Sequence, residues 1–235
     1  MIPKKIHYCW FGGKELPASA LKCIASWKKY MPEYEIIRWD ESNFDINGAA
    51  YSAEAYKKGK YAFVSDFARF KILYEIGGIY FDTDVELLKS LDKLLQDGPY
   101  MGMENGISVN PGLGMSAIPG MAFLGDIVKF YSSIHFLKED GSINYDTVVF
   151  HTTNILKENG WTGKESKIAG FRIYPRDYFC PLDYETGKLK ITHNTYTIHH
   201  YNATWITPQQ MLYRKIKQMF GERVARFCSS LIKRK

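Results

Sequence analysis

The sequence predicts one α/β domain, a mostly parallel central sheet flanked by helices, followed by a basic C-terminal helix. Three observations lead there. Apolar, strand-like runs alternate with helical patterns from the N-terminus onward, as β-α-β units require. Gly77-Gly78 separate a helical pattern from a short apolar strand that ends in Asp82-Thr83-Asp84. The 235 residues, 46% of them hydrophobic and 15% aromatic, suffice for one full core but are short for two.

The elements follow in order. Lys5 to Phe11 is apolar and aromatic and stops at Gly12-Gly13, which reads as a buried first strand. Pro17 opens a helix whose apolar positions are Leu21, Ile24, Trp27 and Met31, and Pro32 closes it. Tyr34 to Trp39 is a second strand, and a weaker helix is expected around Ala53 to Lys58. Ser65 is expected to cap a helix running to Ile76, with Gly77-Gly78 as its stop and Ile79 to Asp82 as the next strand. Beyond Asp84 the pattern predicts a helix at Leu87 to Leu95, Gly/Pro-rich strands within Tyr100 to Ala117, and helices near Ala122 to Phe136 and Thr147 to Asn159. Residues 168–206 read as short strands and loops. The expected organisation is one folded unit over 1–206 and an appended basic amphipathic helix over 207–235.

Charge is uneven. The formal net charge is +6, yet residues 211–235 hold eight Lys/Arg against Glu222 alone, so the rest of the chain is close to neutral. A cationic patch that local suits an anionic surface rather than a nucleic-acid groove, so no nucleic-acid partner is expected. Leu212, Ile216, Met219, Phe220, Val224, Phe227 and Leu231 recur at near-helical spacing beside those charges, the pattern of a helix lying in a membrane interface or packing on the domain. Four scattered cysteines form no zinc or disulfide pattern, and no apolar run is long enough for a signal peptide or a span. The expectation is a cytoplasmic protein, with peripheral attachment to the inner face of a membrane if the tail binds there.

The sharpest chemical feature is Asp82-Thr83-Asp84. Open α/β sheets bind ligands at the carboxyl ends of their strands, and residues i and i+2 of an extended segment point the same way. Two converging carboxylates offer hard oxygen ligands for Mg²⁺ or Mn²⁺ on a diphosphate, whose charge grows as it leaves. Asp66 and Arg69, three apart, share a helix face and can meet polar substrate atoms. Asn110 in Ser108-Val109-Asn110-Pro111-Gly112 is a candidate sugar contact or simply the opening of an Asn-Pro turn.

The runs Ala62-Phe63-Val64-Ser65-Asp66-Phe67-Ala68-Arg69 and Gly77-Gly78-Ile79-Tyr80-Phe81-Asp82-Thr83-Asp84 resemble the signature of the D-x-D sugar-binding glycosyltransferases of family 32. That family includes yeast α-1,6-mannosyltransferase-like enzymes and bacterial capsule or lipopolysaccharide sugar transferases, and it is related to the catalytic domain of the large clostridial glucosylating toxins. Ile6 to Gly13 and Ile198 to Trp205 agree with the same pattern, so the resemblance spans about residues 2–206. It implies a GT-A-like fold and retaining, metal-dependent transfer of a hexose from a nucleotide-sugar, a UDP-sugar ahead of a GDP-sugar. The implied acceptor is a glycan or a lipid-linked acceptor in surface polysaccharide synthesis.

Position by position, the resemblance implies that Trp10 stacks on the donor base, that Ser65 and Asp66 bind ribose or sugar, and that Arg69 and Tyr80 face the donor. Asp82 would bridge ribose, sugar and metal-bound water, Asp84 would ligate the ion, and Trp205 would contact the leaving diphosphate. His200 falls where the toxins place a carboxylate near the metal; this departure leaves the third ligand open between His200 and His199. Two other classes remain as alternatives. A haloacid-dehalogenase-like phosphatase also has an apolar strand ending in D-x-D, but it needs a further acidic pair, and after Asp84 only Glu139-Asp140 is adjacent. A non-catalytic sugar-binding protein would not need Asp66, Arg69, Asp82 and Asp84 together.

Overall fold

A strand buried on both faces must be apolar at successive positions, and the first strand, β1 (Lys5–Cys9), is buried from Ile6 to Cys9. The computed structural model describes residues 1–202 and 208–221. After β1 come α1 (Ala18–Tyr30), β2 (Glu35–Trp39), α2 (Ala50–Lys57), α3 (Tyr61–Ile76) and β3 (Gly78–Tyr80). The chain continues through β4 (Val85–Leu87), α4 (Asp92–Leu95), β5 (Tyr100–Gly102), β6 (Met115–Ala117), α5 (Ala122–Ser133) and α6 (Val148–Glu158). It closes with β7 (Lys167–Ile168), β8 (Phe171–Tyr174), α7 (Arg176–Phe179), β9 (Thr197–His199) and α8 (Pro208–Phe220).

The layered α/β architecture expected from the sequence is present. Seven strands form one sheet in the order β2-β1-β3-β6-β5-β8-β7, and β4 pairs with β9 in a separate two-stranded ribbon. The sheet is mostly parallel: β1, β2, β3, β5 and β8 share a direction, whereas β6 and β7 oppose it. Side-chain alternation divides the core between the two faces. Cys9, Tyr80, Met101 and Ile173 pack with residues of α2, α3, α5 and α6. Their neighbours Tyr8, Ile79, Tyr100 and Tyr174 pack on the other face with residues of α1, α4 and α7.

Gly77-Gly78 do what the sequence suggests, and for a steric reason. Both have positive φ, and a Cβ on Gly78 would lie 2.7 Å from the Lys5 carbonyl oxygen, so only glycine lets β3 enter beside β1. The fully buried His7 helps to seal this junction. Its Nδ1 accepts from Trp39 Nε1 at 3.1 Å and its Nε2 lies 2.9 Å from the Gly77 carbonyl. Burial pushes its pKa down to about 4, so the ring is neutral and structural.

Three expectations need correction. The helix containing Asp66 starts four residues before Ser65, and Ser65 Oγ bonds back to the Tyr61 carbonyl at 3.2 Å instead of capping. The helix expected from Leu87 is strand first: Val85 and Leu87 are buried, Glu86 faces out, and the run pairs with β9. Only Asp92–Leu95 is helical there. Leu21, expected on the buried side of α1, is 53% exposed, and Ala20, Cys23, Ile24 and Trp27 face the core.

The helix α8 packs on the domain. Arg214 Nη1 donates to the Tyr201 carbonyl at 2.9 Å, Gln218 Nε2 to the Tyr184 carbonyl at 2.8 Å, and Lys217 pairs with Glu185. Of the expected apolar stripe, Leu212 is exposed and Ile216 half-buried. The stripe positions from Val224 to Leu231, the basic residues from Arg223 onward, and Trp205 lie outside what the structure describes. No described helix is long and apolar enough to cross a membrane.

Candidate functional site

The early start of α3 places Asp66 and Arg69 in the helix interior, both buried, rather than in the first turn. Apolar neighbours Phe63, Val64, Phe67 and Phe70 bury the surrounding faces of the helix, so this ion pair has little water around it. Arg69 Nη2 donates to Asp66 Oδ1 at 2.9 Å and lies 3.3 Å from Asp82 Oδ1, while its Nε donates to the Ser65 carbonyl. Its guanidinium carbon stands 4.8 Å from the centre of the Tyr80 ring, and the Tyr80 hydroxyl donates to Asp82 Oδ1 at 3.0 Å. One arginine thus ties the helix to the carboxylate at the end of β3. Burial disfavours its charge, but Asp82, Tyr80 and Asp66 outweigh that and keep it protonated. Burial pushes Asp66 up to about 7 against the opposing pull of Arg69, with Asp82 adding to the rise.

Asp84 is turned toward β9. Its Oδ1 lies 3.1 Å from His199 Nε2, its Oδ2 accepts from the Asn202 backbone N–H at 2.8 Å, and its carbonyl accepts from His200 N–H. Burial alone would raise its pKa, yet His199 and the Asn202 N–H more than offset this and bring it down to about 2. Burial likewise opposes charge on His199, and Asp84 overcomes it, so the imidazole pKa is raised. Asp82, Asp84 and His199 each offer a ligand atom, and these atoms lie within 4.8 Å of one another.

His200 does not join them. Adjacent residues at a strand end point to opposite sides, so His200 faces away and its Nε2 sits 2.8 Å from Glu86 Oε2, beside Lys22. The structure therefore brings His199, not the primary candidate His200, to the aspartates. A set of two carboxylates and one imidazole is chemically able to hold a divalent cation.

The remaining candidates divide. Asn110 is buried next to the cluster and caps a 3₁₀ turn over Pro111–Leu113, its Oδ1 accepting from Gly112 N–H at 2.7 Å. That turn lies against Asp82, whose N–H donates to the Gly112 carbonyl at 3.2 Å. Trp10, half-buried at the end of β1, commits its indole N–H to the Lys14 carbonyl at 2.7 Å. Half-buried Ser65 uses its hydroxyl within α3.

Sequence reasoning passed over Glu104, Gly112 and Tyr201. Glu104 Oε1 accepts from Asn110 Nδ2 at 3.0 Å and from the Tyr201 hydroxyl at 2.9 Å. Tyr201, at φ 51°, sets its ring 4.2 Å from that of His199. The available signal was the position of Tyr201 directly after the His-His pair.

Residues 17–100 match the family model described as glycosyltransferase sugar-binding region containing DXD motif. The chain carries the DXD sugar-binding region of the glycosyltransferases. Within that region lie Asp66, Arg69, Tyr80, Asp82 and Asp84, while Asn110 and His199 come from the chain beyond it. Inositol phosphoceramide mannosyltransferase 3 of Schizosaccharomyces pombe is 30% identical over 171 residues, which are 68% of this chain and 45% of that protein. The chain thus spans less than half the length of this curated relative. Among solved structures, the PaToxG glycosyltransferase is 18% identical over 55% of this chain and 59% of its own, with a TM-score of 0.45. The galactosyltransferase LgtC, in complex with donor and acceptor sugar analogs, is 15% identical over 74% of each chain, with a TM-score of 0.39.

Proposed function

We propose that the protein is a retaining, metal-dependent glycosyltransferase that moves a hexose from a nucleotide-sugar, a UDP-sugar ahead of a GDP-sugar, to a glycan or lipid-linked acceptor. The observation that carries this reading is the meeting of Asp82, Asp84 and His199 beside the Arg69 pair, in and next to the glycosyltransferase region. Two oxygen ligands and one nitrogen ligand favour Mn²⁺ over Mg²⁺, which prefers an all-oxygen shell. Bound there, the ion would neutralise charge developing on the leaving diphosphate.

The chain's own residues would do the rest. Asp84 and His199 would hold the ion together with Asp82, whose carboxylate Arg69 and Tyr80 keep in one orientation. Asp66 and Arg69 meet the donor sugar; Trp10, Ser65, Tyr80, Asn110 and Trp205 are the further donor contacts in this reading. Retention rests on the resemblance to family 32. The name of the fission-yeast relative, a mannosyltransferase of inositol phosphoceramide, supports a hexose and a lipid-linked acceptor.

The division into a catalytic unit over 1–206 and an appended basic helix belongs to the same proposal, as does cytoplasmic location with attachment to an anionic leaflet. Each Lys or Arg near such a surface contributes about 1 kcal/mol. Co-sedimentation of the full chain with anionic liposomes at low salt is expected, and its absence removes the membrane part alone. The central test is a panel of UDP- and GDP-sugars with Mn²⁺, followed for hydrolysis and, with an acceptor, for the anomer formed. Metal-dependent turnover of one donor with retention is expected; no turnover of any donor, or turnover indifferent to chelator, overturns the proposal.

A further inference from the structure

We propose that Glu104 is the positioning residue that joins the two sides of the candidate cation site. The inference rests on the metal-dependent reading above and adds to it a residue outside the D-x-D region.

The three ligands arrive from two separate parts of the chain: Asp82 and Asp84 follow β3, whereas His199 ends β9. Asp84 is linked to His199 directly. Among the described residues, Asp82 and His199 share no hydrogen bond or ion pair, and neighbours of each meet at one oxygen of Glu104. On one side, Glu104 Oε1 takes the Tyr201 hydroxyl, and the Tyr201 ring stands 4.2 Å from the His199 ring at 65°. On the other, the same oxygen takes Asn110 Nδ2, while Asn110 Oδ1 holds Gly112 N–H. Gly112 lies so close to Asp82 that a Cβ placed on it would be 2.1 Å from Asp82 Oδ2.

Tyr201 has the geometry of a part under constraint. Its φ of 51° is one that a tyrosine rarely adopts. Three bonds keep it there: its hydroxyl on Glu104, the same hydroxyl 2.9 Å from Cys180 Sγ, and its carbonyl on Arg214. Backbone strain of this kind persists where the surroundings over-determine it, commonly beside a site that needs one geometry. Removing the Glu104 carboxylate leaves the Tyr201 hydroxyl with Cys180 and takes from buried Asn110 the acceptor for its amide. The imidazole plane and the turn against Asp82 would then relax independently.

The test uses the full chain and Mn²⁺ alone, titrated by the electron paramagnetic resonance signal of free ion, without donor. Loss of a group that orients a metal ligand typically weakens affinity about 10- to 100-fold, and that is the expected loss for Glu104→Ala. Glu104→Gln, whose amide oxygen can accept from the same two donors, should restore most of the affinity. Tyr201→Phe, which keeps the ring against His199 but drops the bond to Glu104, should fall between, and it decides the matter if Glu104→Ala does not fold by circular dichroism. Wild-type affinity in Glu104→Ala, or in Tyr201→Phe where it decides, overturns the inference. So does a Gln variant as weak as the Ala variant, which would make Glu104 a charge contributor or ligand. A wild-type chain that binds no Mn²⁺ instead overturns the metal-dependent reading itself.

Discussion

Gly112 offers a perturbation whose size can be worked from the structure. Its backbone conformation is one that alanine adopts, so Gly112→Ala acts by steric contact alone. The added Cβ would sit 2.1 Å from Asp82 Oδ2 and 3.0 Å from Asn110 Oδ1. Approaches below 3.0 Å are not tolerated, so the turn and the Asp82 carboxylate must part by about 1 Å. The carboxylate is short and pinned by the Tyr80 hydroxyl and Arg69, so moving it weakens two charge-assisted contacts. Overpacking typically costs about 1–3 kcal/mol of stability, and a displacement of about 1 Å at reacting groups can cost about 10²-fold in rate. We expect donor turnover with Mn²⁺ to fall by that order while the melting temperature drops by several degrees. Gly102→Ala is the control: its Cβ would meet Phe179 Cδ2 at 2.7 Å in the core, so it should lose comparable stability with kcat little changed. Equal turnover losses in the two variants, or none in Gly112→Ala, would refute the placement of this turn as a wall of the site.

Other outcomes follow from the same geometry. Asp84→Asn should abolish metal-dependent turnover, losing about 10²–10³ or more in rate, while keeping the hydrogen bonds that hold residues 199–202; the Ala variant should also lower the melting temperature, because Asp84 bridges β4 to that segment. Replacing Asp66 or Arg69 should reduce kcat more than nucleotide affinity, read by calorimetry beside turnover; poor nucleotide binding with normal saturated turnover contradicts their placement on the sugar. Asp66 has a folded pKa of about 7 against 3.8 when exposed, so between those values the folded state holds a proton that the unfolded state lacks. Stability from this group is therefore lost as pH rises from about 4 to 7. Asp66→Asn should flatten that part of the melting profile, and an unchanged profile would contradict it.

The sequence was most legible where one force dominates. Strong local signals placed β1, α1 and β2, and Gly77-Gly78 marked a junction that no side chain fits. Asp82 and Asp84 could be paired from their spacing, but β3 ends at Tyr80 and the two lie in a turn closed by the Val85 N–H on the Asp82 carbonyl, not in the extended segment that strand alternation assumes. Boundaries failed where neighbouring patterns merge: Tyr61 to Val64 continue the apolar rhythm of α3, so the more obvious capping residue, Ser65, proved to lie inside it. Val85-Glu86-Leu87 fits either period, and only the partner strand β9 decides it. The choice of His199 over His200 depends on which side of β9 each faces, a register set 115 residues from Asp84 and invisible locally. Glu104 carries no motif at all, and its meaning comes from two donors that the fold delivers to it.

The β4 to β9 ribbon has a consequence for how this protein is made. Residues 17–100, the whole of the recognised sugar-binding region, contain both aspartates but neither the imidazole nor the strand β6 that lies between β3 and β5. As the chain leaves the ribosome, the D-x-D pair emerges before the imidazole and stays half-assembled until residue 199 has been synthesised and has found β4. Contacts closing so large a loop form late and slowly. In the metal-dependent reading proposed above, the meeting of Asp82, Asp84 and His199 is in this sense a completion mark. A chain truncated within β9 or trapped before the ribbon closes would display the signature motif yet lack His199 beside the two aspartates, and, under that proposal, a cation would tell finished molecules from unfinished ones.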